Sequence, residues 1–200
     1  MNKKPFIIGI SGASGAGKTW FAKRLKEELS KSVCIFPLDC YYKDVEYVNR
    51  LEHRHDNPDA MDFDKAFADL SKMIQGESLK LPVYDYDTHK VVSEQVYEPI
   101  AVVIVEGLFV FSDSRFLDAM DVKVWVEAYE SIRFERRITR DINERGDNYD
   151  DAVERYKNDA EPAFQKFTKK NMEYADCIFL NVNNNPKPIL VNLLKEYIEK

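Results

Sequence analysis

Residues 8–20 read IGISGASGAGKTW. The chain has 7 glycines in 200 residues, yet four of them, Gly9, Gly12, Gly15 and Gly17, fall within this one stretch. Glycine loses the most entropy on ordering, so the cluster implies either a tight turn or a loop that lays backbone amides against a ligand. From Gly12 to Thr19 the residues satisfy GxxxxGK[ST], the phosphate-loop pattern. In that pattern Gly12, Ala13, Ser14, Gly15, Ala16 and Gly17 turn successive N–H groups toward phosphate oxygens. Lys18 reaches the outer phosphates and the Thr19 hydroxyl is placed for Mg²⁺. The apolar run FIIGI (6–10) before the loop reads as a strand, and Phe21, Leu25 and Leu29, four apart, read as a helix after it. A chance match in a glycine-rich turn would lack this strand–loop–helix context.

Working outward, VCIFPL (33–38), AVVIV (101–105), VKVWV (122–126) and CIFL (177–180) are further buried strands. Helical stretches cover about 62–75, 130–145, 149–172 and 187–199. Strands without clean alternation, spaced by helices, predict an α/β fold of the three-layer P-loop NTPase type, with a five-stranded parallel sheet covered by helices on both faces. The segment LKLPVYDYDTHKVVSEQVY (79–97) alternates on either side of Asp87 and Thr88, which predicts a β-hairpin excursion. No repeat or linker divides the chain, so 1–200 reads as a single domain.

A net charge of −6 and a pI near 5.2 argue against a nucleic-acid partner held by bulk electrostatics. The longest apolar run, IAVVIV (100–105), is too short to span a membrane. Glycines and polar residues break the opening MNKKPFIIGISG too soon for a signal peptide. Cys34, Cys40 and Cys177 are odd in number and form no CxxC pair, as expected of reduced thiols in a cytoplasmic protein. No NKxD or DxxG pattern is present, which sets aside a GTPase.

In open α/β sheets ligands bind beyond the carboxyl ends of the strands. Two acids arrive there beside the phosphate loop: Asp39 after the second strand and Glu106 at the end of the third. Phosphoryl transfer to an alcohol uses one such group to accept the hydroxyl proton and another to help hold Mg²⁺. The helix beginning near Ser131 carries Arg133, Arg136, Arg137 and Arg140 as a stripe, with Arg145 before the helix-stopping Gly146 and an apolar face of Phe134, Ile138 and Ile142. Solvation is the ordinary reading of one arginine. Five of them in an acidic chain suggest an anion and a closing cap.

These pieces, with DCYYKD (39–44), NPDAMDFD (57–64), PVYDYDTH (82–89), VVIVEGLFVF (102–111), RRITRDINERG (136–146) and EPAFQKF (161–167), give a chain that resembles the uridine kinases (uridine–cytidine kinases) of the phosphoribulokinase-like P-loop group over about residues 6–180. The resemblance implies transfer of the γ-phosphoryl group of ATP to the 5′-hydroxyl of uridine or cytidine, with ATP and Mg²⁺ as cofactors. It makes Asp39 the general base with Tyr42 beside it, and sets Thr19, Asp39 and Glu106 around Mg²⁺. It puts Asp59 on the ribose hydroxyls, Tyr84 and His89 on the pyrimidine edge, and Arg137 on the nucleoside side. Arg140 and Arg145 reach the phosphates from an arginine-rich lid spanning about 133–155. The partners it implies are a small-molecule nucleoside and further copies of the chain in a tetramer.

The chain departs from the family pattern in four places. Cys40 replaces the serine after the catalytic Asp, and no arginine follows His89. Asp147 stands where the family has arginine, and Arg155 where it has glutamine. Asn148 can cap the next helix with Asp151 three residues on, which would bring Asp147 and Arg155 to one end of the site. Either Arg155 restores the lost positive charge, or the acceptor is another riboside or small alcohol. A nucleotide-binding regulator without turnover is the reading from outside the enzymes. The His53-x-His55 pair, with no third clear ligand, reads as solvated rather than as a zinc site.

Overall fold

Ile7, Ile8 and Ile10 of strand β1 (Phe6–Ser11) are fully buried, so β1 belongs in the middle of a covered sheet. In this computed structural model, which describes residues 4–29, 32–85, 90–97, 101–184, 191–192 and 194–196, that is where it lies. On one side β1 pairs with β5 (Val102–Glu106), which pairs in turn with β2 (Val33–Pro37). On the other side it pairs with β6 (Val122–Glu127) and then β7 (Cys177–Leu180). All four pairings are parallel and the order is β2-β5-β1-β6-β7. Every residue of β5 is buried, as a strand covered on both faces requires. Strands β3 (Leu79–Asp85) and β4 (Lys90–Tyr97) form a separate antiparallel pair. Of the predicted terminal helix at 187–199, only 191–192 and 194–196 lie within the described residues, and these are helical.

Helix α1 (Lys18–Glu28) buries Phe21, Ala22 and Leu25 against the sheet. Two helices are shorter than a periodic pattern can announce, α2 (Val45–Val48) and α4 (Ser114–Ala119), each started by an aspartate cap, Asp44 and Asp113. Between them α3 (Phe63–Ile74) is capped by Asp62. Gly9, alone among the four clustered glycines, serves packing rather than the loop: a Cβ there would lie 2.1 Å from the Met120 sulfur.

Helix α5 (Glu130–Arg145) ends at Gly146, whose φ of 69° only glycine adopts cheaply. Asn148 then caps α6 (Tyr149–Arg155) through the Asp151 N–H. The chain stays helical to Tyr174 but widens into π turns over Tyr156–Ala160 and Phe164–Thr168. Pro162 lies between them in a single α-turn, Glu161–Ala163, and having no N–H it leaves the carbonyl four residues back without its helical donor. The apolar face of α5, Phe134, Ile138 and Ile142, packs on Ala152, Val153, Tyr156 and Ala160 as a second small core.

Arg133 leaves the expected stripe. It is buried, pairs with Glu161 at 2.7 Å, donates to the Ala128 carbonyl, and lies over the Phe164 ring. Glu161 also accepts from Tyr156 and Gln165. Glu161→Ala strands a buried guanidinium, and the expected cost is about 3 kcal/mol. That corresponds to a fall in melting temperature of roughly 6–12 °C, read by thermal unfolding.

Candidate active site

The phosphate loop is wedged between two later parts of the chain. A Cβ on Gly15, at φ 77°, would lie 2.4 Å from the Arg133 carbonyl oxygen, and one on Gly17, at φ 95°, 2.3 Å from Asn181 Nδ2. Both positions therefore need glycine for conformation and for clearance. Asn181 Nδ2 donates to the Ala16 carbonyl at 2.9 Å. Arg136 reaches the same carbonyl at 3.4 Å and those of Asn181 and Val182 at 3.3 and 3.1 Å. The Ala13 and Ala16 side chains are buried, and Lys18 Nζ donates back to the Ala13 carbonyl.

The parallel order brings the ends of β1, β2 and β5 to one edge. There Lys18, Asp39 (on the turn Leu38–Tyr41) and Glu106 line a single cavity of about 330 Å³, with Ser14 and Thr19. Burial pushes the Asp39 carboxyl above the ordinary aspartate range, against the pull of Lys18. Glu106 is raised to about 7, by burial first and then by the charge of Asp39. Burial lowers Lys18, against the two carboxylates. Thr19 Oγ1 donates to Glu106, 3.2 Å from each oxygen. Two carboxylates and a hydroxyl are hard oxygen donors of the kind Mg²⁺ takes beside nucleotide phosphates.

The lid helix supplies Arg137, Arg140 and Arg145 to the same cavity. Arg137 donates to Ser14 Oγ at 2.6 Å and lies 3.7 Å from Asp56, so it ties the phosphate loop to the opposite wall. That wall contains Asp56 where Asp59 is expected. Asp59 is exposed and outside the cavity. The reason is local: the Asn57 side chain caps the Asp59 N–H, and buried Ala60 and Met61 anchor the turn, leaving the Asp59 side chain facing solvent. Tyr42 lines the cavity, donates to the His55 carbonyl and packs edge-on to that ring at 5.1 Å. His89 and the Tyr84 side chain lie outside the described residues.

Reading the sequence missed six lining residues, His53, Arg54, His55, Asp56, Leu108 and Asp159. The two histidines are cavity walls rather than solvated side chains. His53 and Arg54 both take positive φ, 59° and 47°, which no periodicity reveals. His53 Nδ1 lies 3.6 Å from Asp159. Asp147 and Arg155 also line the cavity, joined by a two-pronged pair at 2.8 and 3.1 Å. Arg155 is thus neutralised by Asp147 and adds no net positive charge.

A phosphate loop at the centre of a parallel sheet, with acids at the neighbouring strand ends and arginines over them, defines a P-loop phosphotransferase. The chain matches the phosphoribulokinase / uridine kinase family over residues 7–186, and it belongs to that family. The uridine kinase of Latilactobacillus sakei subsp. sakei is 38% identical over 187 residues, which cover 92% of this chain and 89% of the relative. That of Geobacillus kaustophilus is 38% identical over 183 residues, covering 89% and 87%. The phosphoribulokinase structure from Rhodobacter spheroides superposes with a TM-score of 0.66 at 16% identity, over 90% of this chain and 71% of that one, a likeness of fold.

Two outcomes follow. Glu106 rises from the ordinary 4.5 to about 7 on folding, so the folded protein keeps a proton that the unfolded chain sheds. Stability of the ligand-free protein therefore falls as pH rises through that window. Glu106→Gln should raise the melting temperature by a few degrees at pH 8 and by much less at pH 5, as thermal scans at the two pH values would show. Arg155→Gln should raise the acceptor KM about threefold, the scale of a half-exposed pair, by leaving Asp147 unpaired. The double variant Asp147→Asn/Arg155→Gln should recover most of that loss in a steady-state kinetic cycle.

Proposed function

We propose that this chain transfers the γ-phosphoryl group of ATP to the 5′-hydroxyl of uridine or cytidine. The observation that carries the reading is the charge pairing across the cavity. Near the phosphate loop, Lys18 and the lid arginines Arg140 and Arg145 gather positive charge for phosphates. Along the opposite wall, Arg137 faces Asp56, Arg155 faces Asp147 and His53 faces Asp159. Apart from Arg54, the charges along this wall stand in pairs, which suits a neutral, hydroxyl-bearing acceptor better than a sugar phosphate. The family and its uridine kinase relatives point to the same acceptor class.

Asp39 accepts the 5′-hydroxyl proton as that oxygen bonds to the γ-phosphorus and the bond to the ADP oxygen breaks. Its raised pKa makes it a stronger base than an exposed aspartate. Lys18, Arg140 and Arg145 bear on the oxygens where charge gathers. Thr19, Asp39 and Glu106 hold Mg²⁺, which when bound draws charge from the transferring group. Asp56 accepts from ribose hydroxyls, with Arg137 fixing its orientation. A second, more open hollow, lined by Ile132, Glu135, Arg136, Thr139, Asn143, Glu144 and Val182 and sharing Arg140 with the first, is the place for the donor base and ribose. Cys34, Cys40 and Cys177 are not joined in disulfides, which suits work in the reducing cytoplasm.

The test is ADP release with Mg²⁺-ATP against uridine, cytidine, other ribosides and pentose phosphates. Turnover of uridine or cytidine is expected, with kcat lowered by roughly 10²–10⁴ in Asp39→Asn. Activity confined to phosphorylated acceptors, or an Asp39→Asn variant with wild-type turnover, would overturn the reading.

A further inference from the structure

Helix α5 carries five arginines, and two of them are held outside the cavity, Arg133 by Glu161 and Arg136 by backbone carbonyls. The three that line the cavity, Arg137, Arg140 and Arg145, converge on one carboxylate. Asp141 is 1% exposed. Its Oδ2 accepts from Arg137 Nε at 2.7 Å. Its Oδ1 accepts from Arg140 Nε and Nη2 at 3.2 and 3.1 Å and lies 3.2 Å from Arg145 Nη1. The backbone carbonyl of Asp141 accepts the N–H groups of Gly146 and Asp147, closing the helix just where Arg145 turns toward the cavity.

We infer that Asp141 is a positioning residue for phosphoryl transfer: it holds the guanidinium groups of Arg137, Arg140 and Arg145 together in the cavity, Arg140 and Arg145 facing the phosphates and Arg137 between the phosphate loop and Asp56. The inference rests on the reading that this cavity takes the donor phosphates. Three guanidinium groups at one place repel one another, and each flexible side chain loses entropy when ordered. A single buried carboxylate offsets both costs. It also removes one positive charge from a site built for a polyanion, so charge alone would favour its absence. What Asp141 contributes is geometry, which in a preorganised site outweighs added charge.

Asp141→Asn keeps the shape and makes the site one charge more positive, so positioning and net charge predict opposite signs. The probe is inorganic tripolyphosphate, bound to the full chain and followed by calorimetry, with no acceptor present. Weaker binding, by about tenfold, is expected despite the added positive charge. In turnover, kcat should fall by more than the change in KM for ATP. Asp141→Glu, which keeps the charge but moves it by one methylene, should fold and show the same direction of loss. Equal or tighter tripolyphosphate binding in the Asn variant would overturn the proposal. So would a lowered melting temperature with unchanged affinity and kcat. If Asp141→Asn fails to fold, Asp141→Glu decides alone: wild-type affinity and kcat refute the proposal, and their loss at wild-type melting temperature supports it. Because tripolyphosphate needs no acceptor, failure of the uridine assay and failure of this inference are separate results.

Discussion

Lys18, Asp39 and Glu106 are three ionisable groups taken out of water at one edge of a sheet, where one lysine offsets two carboxylates that repel each other. Burial alone works against all three: it raises both acids and lowers the lysine. An isolated buried charge costs several kcal/mol, and here the compensation comes from neighbours of opposite sign. Much of the rest of the structure serves this meeting. The parallel order places β2 and β5 on one side of β1, so that the two acids and the lysine arrive at the same edge from three distant parts of the chain.

The same logic, inverted, shapes the acceptor wall. There the charges stand in pairs, Arg137 with Asp56 and Arg155 with Asp147, and Arg54 lines the same cavity. At the phosphate loop the cations converge instead, Lys18 with Arg140 and Arg145, offset by Asp39, Glu106 and Asp141. The Asp147–Arg155 exchange fits this division. Asp147 and Arg155, eight residues apart, cancel each other at the acceptor wall.

How much of this was legible in the residues depended on the range of the forces involved. The phosphate loop, the five strands and the α5 stop at Gly146 are local matters of sterics and periodicity, and they could be read directly. The meeting of Asp39 and Glu106 followed from the rule that strand ends share an edge. That Asp56 lines the cavity while Asp59 is exposed did not, because both acids sit in the same short polar stretch of 3-10 turns. Nor could the arginine stripe be divided in advance. Arg133 is lost to Glu161, an acid 28 residues away across a proline-disturbed helix, and local spacing says nothing of that partner. His53 and Arg54 needed a left-handed backbone to become cavity walls, a feature without a residue signature when no glycine is present.

The bond from Asn181 to the Ala16 carbonyl spans 165 residues. A ribosome delivers the phosphate loop well before the side chain that braces it. A nascent chain therefore carries the whole nucleotide motif long before it has the motif's geometry. The shape of the motif waits on the sheet: the residue after β7 supplies the brace, and a chain without it keeps the recognisable letters of the motif but not what holds them in place.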